Sequence, residues 1–362
     1  MKNLRKAFPV LQQYIYLNTA ASGPLSEKVF DFRQEHDLDF LVSGCILKEK
    51  QGEMLAKIRE TVGGFFKCEP NRVALVPNFS YGFNTLLEGI ESDKSFLLLE
   101  DEYPSISWPI TSREFKTYTV SLSATLEEDI ENALKNYNPD VFAFSIVQYI
   151  SGLKLSIDFL KQMKQKFPDT LFIADGTQYC GTEIFNFDDS GLDVLLCSGY
   201  KWLNAGYGNG FVLFQEDVPK KIFPKTTGFN SLQGKYKAQE GNFLGKFEPG
   251  HQDTLNYGSL MTALKYLNEV NLEVVEEINK KLSVIAKKEL TTLGVLDEIV
   301  VKRSHHSTIF NIKGDKNLYD HLRNNDILAS LKGPGIRVSF HYYNTEEEIQ
   351  ELVKALSEYL KK

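Results

Sequence analysis

The feature that most constrains this chain is an alternation, from about residue 15 to residue 215, of short β-rich apolar runs with helical stretches. Val73–Val76, Ser95–Glu100, Val141–Ile146, Leu171–Ala174, Val194–Cys197 and Gly210–Phe214 read as strands buried on both faces, because each is short, apolar and free of alternation. Leu126–Asn136 and Ile157–Lys166 carry the 3.6-residue apolar period of amphipathic helices. Parallel strands need a crossover between them, and a helix is the usual one. The pattern therefore predicts an α/β layer around a mainly parallel sheet.

Beyond about residue 255 the character changes. Leu260–Leu290 is rich in Leu, Glu and Lys and holds neither proline nor glycine, so it reads as one long connecting helix. Ile299–Val301, Ser307–Ile312 and Ile336–Phe340 read as strands of a smaller α+β unit. A helix from Thr345 to Leu360 closes it, and Thr345-Glu346-Glu347-Glu348 has the form of a capping box. With 362 residues the chain is long enough for two domains. The expected division is a large domain at 15–255 and a small domain from 1–14 and 256–362, with 256–290 as the connecting helix.

The formal charge of −7, from 41 basic against 48 acidic residues, and the lack of any concentrated basic run argue against a nucleic-acid partner. No apolar run approaches the ~20 residues of a membrane span, and the basic start Met1-Lys2-Asn3-Leu4-Arg5-Lys6 leads into no apolar signal core, so the expected location is cytoplasmic. The four cysteines, Cys45, Cys68, Cys180 and Cys197, form no C-x-x-C pair and no metal motif, and Cys180 and Cys197 are expected to be buried thiols.

The chemistry concentrates between Phe172 and Phe211. One β-rich run delivers Asp175-Gly176-Thr177-Gln178 and another delivers Ser198-Gly199-Tyr200-Lys201-Trp202, both just past strand ends, where ligands bind in open α/β sheets. A strand-end carboxylate is partly desolvated and calls for a cation or donors. A lysine between two aromatic residues loses basicity by desolvation and becomes a nucleophile. Singly, Asp175 reads as a turn residue and Lys201 as a surface charge. Their joint placement, 26 positions apart, changes that reading.

Several motifs in order resemble the class V aminotransferases, enzymes of fold type I that use pyridoxal 5′-phosphate (PLP) and include cysteine desulfurases and kynureninases. The resemblance runs from Tyr16-Leu17-Asn18-Thr19-Ala20-Ala21 to the C-terminal helix. It implies a seven-stranded, mainly parallel sheet in the large domain, a homodimer with active sites shared between subunits, and an amino-acid substrate. It also implies that Lys201 forms the Schiff base to the cofactor, that Asp175 meets the pyridine nitrogen and Gln178 the 3′-oxygen, and that Ser198 and Tyr200 belong to the lysine segment, Tyr200 standing where many members have His. Val73–Val76 leads through Pro77-Asn78-Phe79-Ser80 into a helix whose amino terminus offers N–H groups to a phosphate. The resemblance makes Phe79 and Ser80 that phosphate cup. It nominates Tyr103, in Glu100-Asp101-Glu102-Tyr103-Pro104-Ser105, to stack on the ring, and Gln148 to hold cofactor or substrate. It assigns Arg337, in Arg337-Val338-Ser339, to the substrate α-carboxylate, which a guanidinium binds with two parallel bonds. In Phe247-Glu248-Pro249-Gly250-His251-Gln252-Asp253-Thr254, His251 stands where family members reach the partner subunit's phosphate.

One departure narrows the chemistry. Desulfurases carry a nucleophilic cysteine shortly before the carboxylate-binding arginine, and Asp326 to Arg337 holds none. The leading expectation is an aminotransferase, with a C–S or C–C lyase, an epimerase or a non-catalytic PLP sensor as alternatives. A nucleotide-binding dehydrogenase fits poorly, since Gly206-Tyr207-Gly208-Asn209-Gly210 has the wrong glycine spacing and runs into a strand.

Overall fold

A computed structural model describes residues 2–229, 231 and 243–361. Strand β1 (Ile15–Tyr16) belongs to the smaller unit. The large sheet comprises β2 (Val73–Val76), β3 (Ser95–Leu99), β4 (Lys116–Val120), β5 (Val141–Ser145), β6 (Leu171–Asp175), β7 (Val194–Ser198) and β8 (Gly210–Phe214), in the order β2-β8-β7-β6-β5-β3-β4. Only β8 runs against its neighbours. The predicted α/β sheet is thus seven-stranded and mainly parallel, and the two predicted helices occur at Leu126–Tyr137 and Ile157–Lys166.

The apolar runs segregate to two faces with the period of two expected of strands. Phe142 and Phe144 of β5 enter one core with the helices Gln51–Phe66 and Thr254–Val270, while Val141 and Ala143 enter the other with Phe79–Leu87. β4 escaped the sequence reading because its Lys-Thr-Tyr-Thr-Val run is a half-exposed edge, and edge strands carry polar residues that discourage further pairing.

The smaller unit contains β9 (Ile309–Lys313), β10 (Ile327–Leu328), β11 (Ser330–Lys332) and β12 (Gly335–Ser339). β11, β12 and β9 form an antiparallel sheet, and β10 pairs with β1. Leu17 packs into this unit's core and its carbonyl accepts from Ser339 N at 2.8 Å, so the chain start reaches across to it. The closing helix Glu346–Leu360 has the predicted capping box at Thr345 and Glu348.

Two expectations need correction. The single helix over Leu260–Leu290 is two, Thr254–Val270 and Leu272–Thr292, broken at Asn271. Asn271 has φ 75°, which asparagine tolerates, and its side chain caps the second helix by accepting from Glu273 N. Ile299–Val301, read as a strand from its β-branched residues, lies in the short helix Glu298–Lys302, which the Asp297 carboxylate starts by accepting from Ile299 N at 2.8 Å. Among the described residues no helix is long and apolar enough to cross a membrane.

Candidate active site

The carboxyl ends of β3, β5, β6 and β7 converge on a cavity of about 440 Å³, within the size range of small-ligand sites. Because β5 and β6 are parallel and in register, Ser145 and Asp175 stand side by side at its floor. Asp175 is buried, and its carboxylate accepts from Thr177 N at 2.7 Å. Burial pushes its pKa up, opposed by the Thr177 hydrogen bonds and the Lys201 charge. The Thr177 hydroxyl accepts from Ser198 N at 3.1 Å and so ties the Asp175 loop to the end of β7.

Behind Ser145 lies a second buried carboxylate. Glu102 accepts from Ser145 N at 2.8 Å and Ser145 Oγ at 2.7 Å, and burial, with a contribution from the Asp175 charge, holds its pKa up at about 7. Neither Glu102 nor Ser145 was singled out from the sequence.

Lys201 projects into the cavity from the turn after β7. The turn's carbonyls are fixed from outside: Tyr200 O accepts from Gly23 N at 2.8 Å, and a Cβ on Gly23 would lie 1.9 Å from Lys201 O, so only glycine fits there. Trp202 O takes a contact from His341 Nε2 at 3.0 Å. The Lys201 ammonium lies 5.5 Å from the Tyr103 ring centroid and 5.6 Å from that of Tyr200. Burial lowers its pKa to about 8, with Asp175 opposing and Arg337 and Lys332 assisting. The uncharged amine, the state that attacks a carbonyl or takes a proton, is therefore far more populated near neutrality than in an ordinary lysine.

At the opposite end of the cavity the helix Phe79–Leu87 presents its amino terminus. Asn78 caps it by accepting from Tyr81 N at 2.9 Å, Phe79 N donates to Ser198 Oγ at 2.8 Å, and the Ser80 hydroxyl meets that of Ser105 at 2.7 Å. Tyr200 stacks on the exposed Tyr207 with centroids 4.8 Å apart. The cavity touches all of these side chains.

Phe79, Ser80, Tyr103, Asp175, Gln178, Ser198, Tyr200 and Lys201 thus meet in one cavity, as the sequence reading placed them. Gln178, however, already has both ends of its amide engaged, by Ala20 O at 3.0 Å and Trp202 Nε1 at 2.7 Å. Gln148 is turned away from the cavity: its oxygen accepts from Ile150 N and Ser151 N at 2.7 and 2.6 Å and its nitrogen donates to Asp101 O at 3.0 Å. Its neighbour Tyr149 faces the cavity instead, edge-on to Tyr103 with centroids 5.0 Å apart. Arg337 lies behind Tyr149, donating from Nη1 to its carbonyl at 2.7 Å, while Nε is buried without a partner. Burial lowers its pKa to about 10. His251 is outside the cavity and stacks on Phe229.

An anion-binding helix end, an amine of lowered pKa and a buried carboxylate in one cavity, with a guanidinium behind Tyr149 whose Nε is unpartnered, suit a phosphorylated pyridine aldehyde and an amino acid. The architecture is that of the fold-type I enzymes, whose cofactor is PLP. Residues 15–352 match the class-V aminotransferase family, and the chain belongs to it. It is similar to isopenicillin N epimerase of Amycolatopsis lactamdurans, with 25% identity and 94% of each chain covered, and to a probable cysteine desulfurase of Borreliella burgdorferi, with 22% identity covering 100% of this chain and 96% of the other. Among solved structures, the cystine C–S lyase C-DES in complex with its reaction product cysteine persulfide superposes with a TM-score of 0.87 at 19% identity, covering 97% of this chain and 99% of that one.

Proposed function

We propose that the cavity holds PLP on Lys201 and that the protein acts on a β-substituted α-amino acid as an eliminating lyase of the C–S type, rather than as the aminotransferase that the motifs put first. The observation that carries the reading is the Lys201 amine, buried, lowered to about 8 and set between Asp175, Tyr103 and Tyr200. When bound, the cofactor supplies an electron-poor ring that accepts the electron pair of the substrate Cα–H bond.

The chain's own residues supply the rest. The helix end at Phe79 and Ser80, with Ser105 and Ser198, receives the phosphate. Asp175 would keep a proton on the ring nitrogen, Tyr103 would flank the ring, and Arg337 would take the α-carboxylate. Lys201 would hold the cofactor at its aldehyde carbon, and its amine, when free, would take the Cα proton. His251 reaches the phosphate of a second copy in a homodimer, for which the exposed Phe40, Leu41, Val42 and Ile46 supply an apolar face.

Elimination is favoured over desulfuration and transamination by what surrounds the substrate's side chain. β11 and β12 are joined by the two-residue turn Gly333-Pro334, and no cysteine lines the cavity, so no thiol is placed to take sulfur from the substrate. Four phenols line the cavity, Tyr103, Tyr149, Tyr200 and Tyr207, and burial raises the pKa of Tyr149 and Tyr200 so that they keep their protons. Such groups can protonate a departing sulfur. The balanced reaction converts an S-substituted cysteine and water to a thiol, pyruvate and ammonium.

Incubation of the PLP-loaded protein with an S-substituted cysteine in the absence of any ketoacid is expected to release pyruvate and ammonium continuously. A cofactor band that converts once per site and resets only on adding a ketoacid would establish transamination instead. Absence of any cofactor band after PLP addition would defeat both readings.

A further inference from the structure

The hairpin that carries Arg337 carries a second cation that the reading above does not use. Ser330 is directly opposite Arg337 across β11 and β12, and Lys332 is two residues beyond Ser330, so Lys332 and Arg337 rise from the same face of the hairpin as diagonal neighbours. Both converge on Tyr149: Arg337 donates to its carbonyl at 2.7 Å, and the Lys332 ammonium lies 5.5 Å from its ring centroid. Arg337 is buried, whereas Lys332 is exposed. The two charges therefore stand at successive depths on one face of the hairpin, both against Tyr149, which lines the cavity.

The backbone under Lys332 is held in place. Its carbonyl accepts from Asn311 Nδ2 at 2.8 Å, and Gly333 packs so closely on Ile150 that a Cβ there would lie 2.7 Å from Ile150 Cγ2. Among the described residues neither Lys332 nor Arg337 has a carboxylate within ion-pair distance. The buried Lys201 feels both charges, which help to lower its pKa. Asp101 is near enough to help raise the pKa of Tyr149 but makes no ion pair with Lys332.

We propose that Lys332 is a specificity residue that receives an oxyanion, a carboxylate or sulfonate, on the departing part of the substrate while Arg337 takes the α-carboxylate. This rests on the reading of the cavity as an amino-acid site and names the class of substrate: β-substituted amino acids whose leaving group is itself acidic.

The test uses the PLP-loaded protein and two ligands that differ in charge but hardly in shape, S-carboxymethyl-L-cysteine and S-carbamoylmethyl-L-cysteine. Affinity is read from the cofactor band and turnover from pyruvate. The acid is expected to bind about fivefold tighter than the amide, with the advantage shrinking as salt is added. In Lys332→Met the advantage disappears while amide affinity stays within twofold, and in Lys332→Glu the preference reverses. Equal affinities in the unaltered protein, or an equal loss for both ligands in Lys332→Met, would overturn the proposal. Band shifts without pyruvate would fault only the lyase reading, because the charge preference is still read from affinity. No band shift with either ligand would overturn both.

Discussion

At the floor of the cavity Glu102, Ser145 and Asp175 come from three neighbouring parts of one sheet, past β3 and at the ends of β5 and β6, and their polar atoms satisfy one another and the adjacent backbone. At the entrance Tyr149, Arg337 and Lys332 come from a loop and a hairpin of the smaller unit, and the cations have no acidic counterpart among the described residues. Both regions confine charge, but in different ways. The floor needs carboxylates that stay where the sheet puts them. The entrance cations have no ion-pair partner among the described residues, and the proposed anionic ligand would supply one. A group built into a parallel sheet is pre-organised before anything binds, whereas a guanidinium with one nitrogen on a carbonyl and Nε unpartnered keeps donors for a ligand.

The largest expected effect lies between the two regions. Lys201→Ala should lower turnover at least about a thousandfold, since it removes the amine proposed both to hold the cofactor's carbonyl and to act as the base at Cα. In the unaltered apoprotein, the rate of combination with PLP should rise with pH through about 8, because only the uncharged amine attacks and burial places its pKa there. A rate that does not change between pH 7 and pH 9 would show that the amine is not titrating in this range.

Arg337→Met is the next test and bears on the entrance alone. It should reduce kcat/KM about a hundredfold, mostly through KM, as expected for loss of a buried charge-assisted contact. PLP affinity should change less than twofold, because Arg337 contacts Tyr149 O and not the floor. An equal fall in cofactor affinity would mean that entrance and floor behave as one unit and would remove the distinction drawn between them.

The two regions also differ in how far the sequence revealed them. Asp175 and Lys201 were legible because each follows a buried apolar strand, and their spacing reinforced the inference. Glu102 and Ser145 were not, because they meet only through the order β6-β5-β3, which is not the chain order. Gln148 was nominated where Tyr149 faces the cavity. The loop's direction is set by the bonds Gln148 makes to Asp101, Ile150 and Ser151, and a one-residue shift in such a loop exchanges inside for outside. The same limit applies to the folds of single elements. The break at Asn271 lies in a run without glycine or proline, and the edge strand β4 is polar, so neither carried the usual signals.

The smallest effect distinguishes the floor by pH. The Glu102 carboxyl has an ordinary value of 4.5 and is held at about 7 by burial. The folded protein therefore binds this proton more tightly than the unfolded chain does. The stability it contributes is fully present below about pH 4.5 and is lost as pH rises through about 7. A shift of that size corresponds to about 3 kcal/mol at ~1.4 kcal/mol per pH unit. Glu102→Gln keeps the shape of the protonated form and cannot ionise. It should match the unaltered protein in Tm near pH 4.5 and exceed it by a few degrees at pH 8. Activity should fall no more than about threefold, since Glu102 does not line the cavity and meets it through Ser145 and the backbone N–H of Tyr103. If Glu102→Gln is instead less stable at pH 8, then Glu102 is ionised and compensated in the folded state. The floor would then share with the entrance a charge held for a ligand, and the contrast between the two regions would fail.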